Sequence, residues 1–306
     1  LKAVSAQAFM ARALLSEPRR AVPILLTAIA GAGLVAAPLA LGAFGSDMKR
    51  PQASMEEAST QKLRELNDPK TFEALVYEPP GEGALWPLLL YLHGAGESGG
   101  ALVEILSEGA TGTPPVALSQ GKAIPGLAER FVVVAPHAHR GWQPQAVSRF
   151  LDFLLSAESK LSLDPSRLYV TGHSMGGYGA LAAAASTRRF AAVVPVAPSG
   201  APSAASLAGV PLWAFHGRND VIVPSSYSED LVEELWRKGA SREEVRLTLY
   251  EKAPAPFGWP TYYGHASTIP AYATPELYDW LLAQRLTGAA PAAAPEPREL
   301  AKGGGE

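Results

Sequence analysis

Arg167-Leu168-Tyr169-Val170-Thr171-Gly172-His173-Ser174-Met175-Gly176-Gly177 decides the fold. An apolar, β-prone run ends in Gly-x-Ser-x-Gly, and the stretch from Tyr178 to Ala185 beyond it is rich in strong helix formers. A serine at the tip of so sharp a strand-to-helix turn must take a strained backbone, and neighbours without side chains let the turn close. The spacing therefore predicts a nucleophile elbow with Ser174 at its tip. The competing reading is an ordinary helix N-cap, for which a serine is equally suitable.

Working outward, three further segments fall in an order that tests the elbow. Upstream, Pro87-Leu88-Leu89-Leu90-Tyr91-Leu92 is a continuous apolar run suited to a buried parallel strand, and it opens into His93-Gly94-Ala95-Gly96-Glu97. Downstream, Pro211-Leu212-Trp213-Ala214-Phe215 leads to a turn carrying Asp220, and Val245 to Tyr250 reads as a last strand. An aromatic loop then carries Gly264-His265 ahead of a terminal helix from Pro275 to Gln284. Oxyanion loop, serine, acid and histidine thus follow one another in the chain order of an α/β-hydrolase triad. From about Phe72 onward apolar runs alternate with helical patterns, which predicts βαβ units around a mostly parallel sheet with helices on both faces.

On these residues the chain resembles the α/β-hydrolases, in their dienelactone-hydrolase, phospholipase/carboxylesterase and feruloyl-esterase-like branch. The matching stretches are His93 to Glu97, Val134-Ala135-Pro136, Asp164 to Gly172, Ser174 to Tyr178, Phe215-His216-Gly217, Asp220 and Pro270-Ala271-Tyr272. They span roughly residues 72 to 286. Two departures stand out: His265 is followed by Ala266-Ser267-Thr268 where the branch often has an Asp-Ser-Trp-like stretch, and His137-Ala138-His139 replaces a frequent Gln-Cys-Pro. The resemblance implies a serine ester hydrolase working through an acyl-enzyme on small or aromatic esters.

Chemistry assigns the roles. A serine hydroxyl needs a base within hydrogen-bond reach, which His265 can supply, while Asp220 would orient the imidazole and stabilise its cation. The backbone N–H groups of Met175 and Ala95 would meet the oxyanion. Asn219-Asp220 could equally be plain turn chemistry. Trp259, Tyr262 and Tyr263 lead into His265, so they could line a substrate pocket or simply pack. His93 and His216, at strand ends beside glycine, read as structural, and His173 lies on the wrong side of the turn to act as base. His137-x-His139 offers two metal-type ligands, but with no cysteine and no third ligand at recognisable spacing it reads as a solvated loop; neither metal nor cofactor is expected. Only a short loop joins the strands ending near Pro198 and starting at Pro211, so no large lid domain is expected.

Composition narrows the partners. The chain has 306 residues, 47% of them hydrophobic, a formal charge of −3 and no cysteine. That is enough for one substantial core, and the absence of a basic cluster gives nucleic acid nothing to hold. Residues 21–45 carry no charge, with Arg19-Arg20 before them and Asp47, Lys49 and Arg50 after. Residues 1–46 therefore read as a signal peptide or N-terminal membrane anchor, with a buried core helix as the competing reading, and the basic flank predicts an exported enzyme, periplasmic or extracellular. Residues 47–71 are expected to be a spacer, 72–286 the catalytic domain, and 287–306 a disordered Ala/Pro/Gly-rich tail. Two other functions remain open: a serine peptidase of the same fold, and a tethered binding protein with a vestigial site.

Overall fold

Along Trp86–Leu92 successive side chains face opposite ways, and both directions are apolar: Leu88, Leu90 and Leu92 enter one buried cluster, Leu89 and Tyr91 another. A strand hydrophobic on both faces needs a cover on each, and that requirement fixes a three-layer arrangement. The computed structural model describes residues 63–81 and 85–286. Its eight strands are β1 (Arg64–Asn67), β2 (Glu73–Tyr77), β3 (Trp86–Leu92), β4 (Val132–Pro136), β5 (Leu163–His173), β6 (Ala192–Val196), β7 (Leu212–Gly217) and β8 (Val245–Tyr250). They form one sheet in the order β1-β2-β4-β3-β5-β6-β7-β8. β1 and β2 pair antiparallel, as do β2 and β4, and every later pairing is parallel.

The helices are α1 (Pro114–Ser119), α2 (Pro125–Ala128), α3 (Pro144–Leu155), α4 (Met175–Thr187), α5 (Ser226–Arg237), α6 (Thr268–Tyr272) and α7 (Pro275–Ala283). Val147, Phe150, Leu151 and Leu154 of α3 recur at helical spacing and join Leu181 of α4 and Leu231 of α5 over one face of the sheet. Leu277, Tyr278 and Leu281 of α7 cover the other, against Phe131 and Tyr169. Between β6 and β7 the only helical element is the short 3-10 turn Ala204–Leu207, so no lid domain interrupts the sheet there.

The expected boundary of the spacer moves. β1 falls inside 47–71, because Arg64–Asn67 pairs residue for residue with Val76 to Glu73 and the turn between them is closed by Asp68, which accepts from the Lys70 amide at 3.0 Å. Its half-exposed edge position lets a polar sequence form a strand, which hides it from hydrophobic patterning. The proposed export segment (1–46) and tail (287–306) lie outside the described residues, as does the spacer up to residue 62. Among the described residues no helix is long and apolar enough to cross a membrane.

Candidate active site

Ser174 joins β5 to α4 with φ 55° and ψ −114°, a conformation that costs a non-glycine residue energy and that clusters at functional sites. It occupies the N-cap position, yet its hydroxyl makes no capping hydrogen bond to the helix. The competing N-cap reading is therefore not what the side chain does. The turn is held by its backbone: the Ser174 amide donates to Val196 O at 3.0 Å, and its carbonyl accepts from Ser199 at the same distance. Gly176 explains the motif's final glycine, since a Cβ there would lie 1.9 Å from Leu92 O. The first turn of α4 is pressed directly on the end of β3, which brings the elbow against the His93–Glu97 loop.

Asp220 and His265 meet as the sequence predicts. His265 Nδ1 donates to Asp220 Oδ2 at 2.8 Å, so in the neutral ring the lone pair is on Nε2. The other carboxylate oxygen, Oδ1, accepts from the amides of Ile222 and Val223, both at 2.9 Å. One side chain thus performs both the turn chemistry and the orientation of the imidazole. Burial opposes ionisation of Asp220, but His216, His265 and the Val223 amide outweigh it and hold the carboxyl well below the usual carboxylate range. His216 Nε2 stands 3.5 Å from the same Oδ2 and also donates to Val223 O at 3.1 Å, while its Nδ1 meets Ser228 Oγ at 2.8 Å.

The loop carrying His265 is fastened to the loop carrying Asp220. Gly264 has φ 81°, and a Cβ there would fall 2.4 Å from the Asp220 amide nitrogen, so only glycine permits the approach. Asn219 exchanges two hydrogen bonds with the backbone of Ala253, at 2.8 and 3.0 Å. His173 completes the fastening: its Nε2 donates to His265 O at 2.7 Å, and the two rings lie 4.7 Å apart between centroids. Burial, followed by the neighbouring His265, lowers the His173 pKa to about 3, so it stays neutral. His265 therefore sits beside the elbow, held by the residue that precedes Ser174. Ser174 and His265 are both buried, at 4% and 6% exposure.

The oxyanion loop has a comparable fastening that sequence reasoning left as merely structural. Ala138 N–H donates to His93 Nε2 at 3.0 Å, which places the ring proton on Nδ1, and Nδ1 donates to Gly94 O at 2.7 Å. Gly94 O and the Ala95 N–H belong to one peptide plane and point in opposite directions. Holding the carbonyl therefore aims the amide. Ala95 opens a 3-10 turn, Ala95–Glu97, and Met175 opens α4, so both predicted oxyanion donors have amides at helical N-termini without intrahelical partners. His93 is kept neutral by burial, which lowers its pKa to about 4. The signal available in the sequence was only the His-Gly step after a strand.

The three aromatic residues expected near the pocket lie on the surface loop before His265. Trp259 is 42% exposed and Tyr263 60%, and Trp259 leans on Tyr262 with ring centroids 5.2 Å apart. The Trp259 indole also overlies Gly109, where a Cβ would come within 3.4 Å of Nε1. His137 differs from the expected solvated loop: it is 2% exposed, buried against His93 with centroids 5.3 Å apart, and only His139 faces solvent.

The comparisons agree with this architecture. A protein-family model described as PET hydrolase-like matches residues 118–247, which hold Ser174 and Asp220. A thermostable esterase of known crystal structure is 27% identical with a TM-score of 0.59, covering 73% of this chain and 63% of its own. The chain has the α/β-hydrolase fold. It spans under two thirds of the length of that esterase. Two further solved structures resemble this chain at a TM-score of 0.49 each. One, from Klebsiella pneumoniae subsp. pneumoniae MGH 78578 and provisionally called a dienelactone hydrolase, is 16% identical over 69% of this chain and 93% of its own. The other, Est1E from Butyrivibrio proteoclasticus, is 13% identical over 73% and 100%. No curated protein matches the sequence.

Proposed function

We propose that the protein is a serine carboxylic-ester hydrolase that works through an acyl-enzyme, with Ser174 as nucleophile, His265 as base and Asp220 as its orienting carboxylate. The observation that carries this reading is the buried Asp220–His265 pair, fastened through His173 to the elbow whose strained Ser174 caps nothing. His265 accepts the Ser174 proton as the hydroxyl attacks the ester carbonyl, and then donates it to the departing alcohol. The amides of Ala95 and Met175 stabilise the oxyanion, and water repeats the sequence to release the acid.

The substrates we infer are small or aromatic esters. No lid domain interrupts the β6–β7 connection, and Trp259 bridges the loop before His265 and the segment after the oxyanion loop. The PET hydrolase-like match adds aromatic polyesters to the candidates. The uncharged stretch 21–45 behind a pair of arginines supports action outside the cytoplasm. A matched ester and amide pair tests the reaction class: we expect turnover of p-nitrophenyl acetate and butyrate far above that of the corresponding anilides. Preferential cleavage of the anilides would replace the esterase with a peptidase.

A further inference from the structure

The strongest feature outside this machinery sits on the far side of the oxyanion loop. β2 and β4 pair so that Ala74 faces Pro136, and the next residues, Glu73 and His137, are joined by a hydrogen bond from the His137 amide to Glu73 O at 2.8 Å. Two residues further on, the His139 ring lies 4.7 Å from that of His137 between centroids. The Glu73 carboxylate and the two imidazoles offer ligand atoms all within 4.8 Å of one another. Sequence spacing reveals only the two histidines, because the third member comes from a distant strand.

A second observation gives the cluster its direction. His137 Nε2 faces Glu97 O at 2.9 Å, and a carbonyl oxygen can only accept, so in the neutral ring the proton lies on Nε2. Nδ1 then presents a lone pair. That atom is buried with no hydrogen-bond partner, and it points at a carboxylate oxygen, Glu73 Oε1, 3.5 Å away. Lone pair against carboxylate is repulsive, and a cation between them removes the conflict. The tautomer is the one a metal requires, with the distal N–H anchored on a carbonyl. Glu73 is half-buried and His139 exposed, so both can close around an ion while water completes its shell.

We propose that Glu73, His137 and His139 form a binding site for a divalent first-row transition metal, with Zn2+ the best match to two imidazoles and one carboxylate. The site is independent of the esterase reading. Because His137 also holds Glu97 O, an ion there clamps β2, β4 and the end of the oxyanion loop together. It is a structural clamp, and binding stabilises the fold by linkage.

The test uses the untagged full chain, stripped with chelator and then titrated with Zn2+ alone. We expect one Zn2+ per chain after gel filtration, a rise in the thermal midpoint that EDTA reverses, and visible d–d absorption with Co2+. His139→Ala alters an exposed side chain, and Glu73→Gln keeps the shape while offering His137 Nδ1 a donor. Both variants should fold, lose the midpoint rise and bind at least about tenfold more weakly. A folded wild type that takes up no stoichiometric Zn2+, or binding unchanged in both variants, overturns the proposal. Neither outcome bears on ester hydrolysis, which is read separately.

Discussion

The six histidines form two groups built on different principles. His173, His216 and His265 gather around Asp220, and each has a ring nitrogen ending on an oxygen of that carboxylate or of the loops that hold it. His93, His137 and His139 gather around the oxyanion loop, where the hydrogen bonds of His93 and His137 aim peptide planes. The first group stabilises a charge; the second fixes a direction. Removing a buried charge from a catalytic relay costs far more than loosening a backbone amide, so the two should separate cleanly under mutation.

Breaking the first group gives the largest effect. Asp220→Asn keeps the size of the side chain but no longer selects the Nδ1–H tautomer of His265, and kcat should fall about 10⁴-fold with KM little changed. Steady-state kinetics on p-nitrophenyl butyrate read this directly. A loss below tenfold would mean that another group orients the base.

His93→Ala attacks the second group. The carbonyl of Gly94 loses its donor, and the Ala95 amide is free to turn away from the oxyanion. We expect kcat to fall about 100-fold while KM holds, since misplacement near 1 Å costs on that order. Fluorophosphonate labelling of the variant should be slowed to a similar degree. A rise in KM with kcat intact would place His93 in substrate binding instead.

Glu97 sharpens the contrast through pH. Burial raises its pKa to about 7, only partly offset by hydrogen bonds from its own and the Gly94 backbone. The unfolded chain therefore gives up this proton first as pH rises, and stability falls between the usual glutamate range and about pH 7. Glu97→Gln, with no proton to lose, should be more stable than wild type at pH 8 by on the order of 2 to 3 kcal/mol, and nearly equal at pH 5. Denaturant melts at the two pH values decide it; equal differences at both would show that the carboxyl is not the cause.

The smallest effect concerns the surface aromatics. Trp259→Ala should reduce hydrolysis of an aryl ester such as methyl ferulate a few-fold more than that of p-nitrophenyl acetate, as loss of one partly exposed aromatic contact allows. Equal losses would leave Trp259 a packing residue.

Much of this was legible in the chain itself. Motif chemistry singled out Ser174, Asp220 and His265, of which the structure pairs the last two and strains the first, and the parallel strands were visible as apolar runs. The supporting contacts were not. Asn219 clamps Ala253, His93 turns Gly94, and Glu73 reaches His137, all through pairings set by tertiary register that no local window contains. β1 was missed because an edge strand tolerates polar residues. His137 looked solvated because the sequence around it is a polar loop, yet the packing of β4 against β2 and of His93 against its ring buries it.

The most direct measurement is peptide mapping of the full-length chain after reaction with a fluorophosphonate probe, beside Ser174→Ala. We expect a single adduct on Ser174, none in the variant, and parallel loss of p-nitrophenyl butyrate turnover. A folded wild type that stays unlabelled, or an adduct on another serine with turnover surviving in Ser174→Ala, would contradict it.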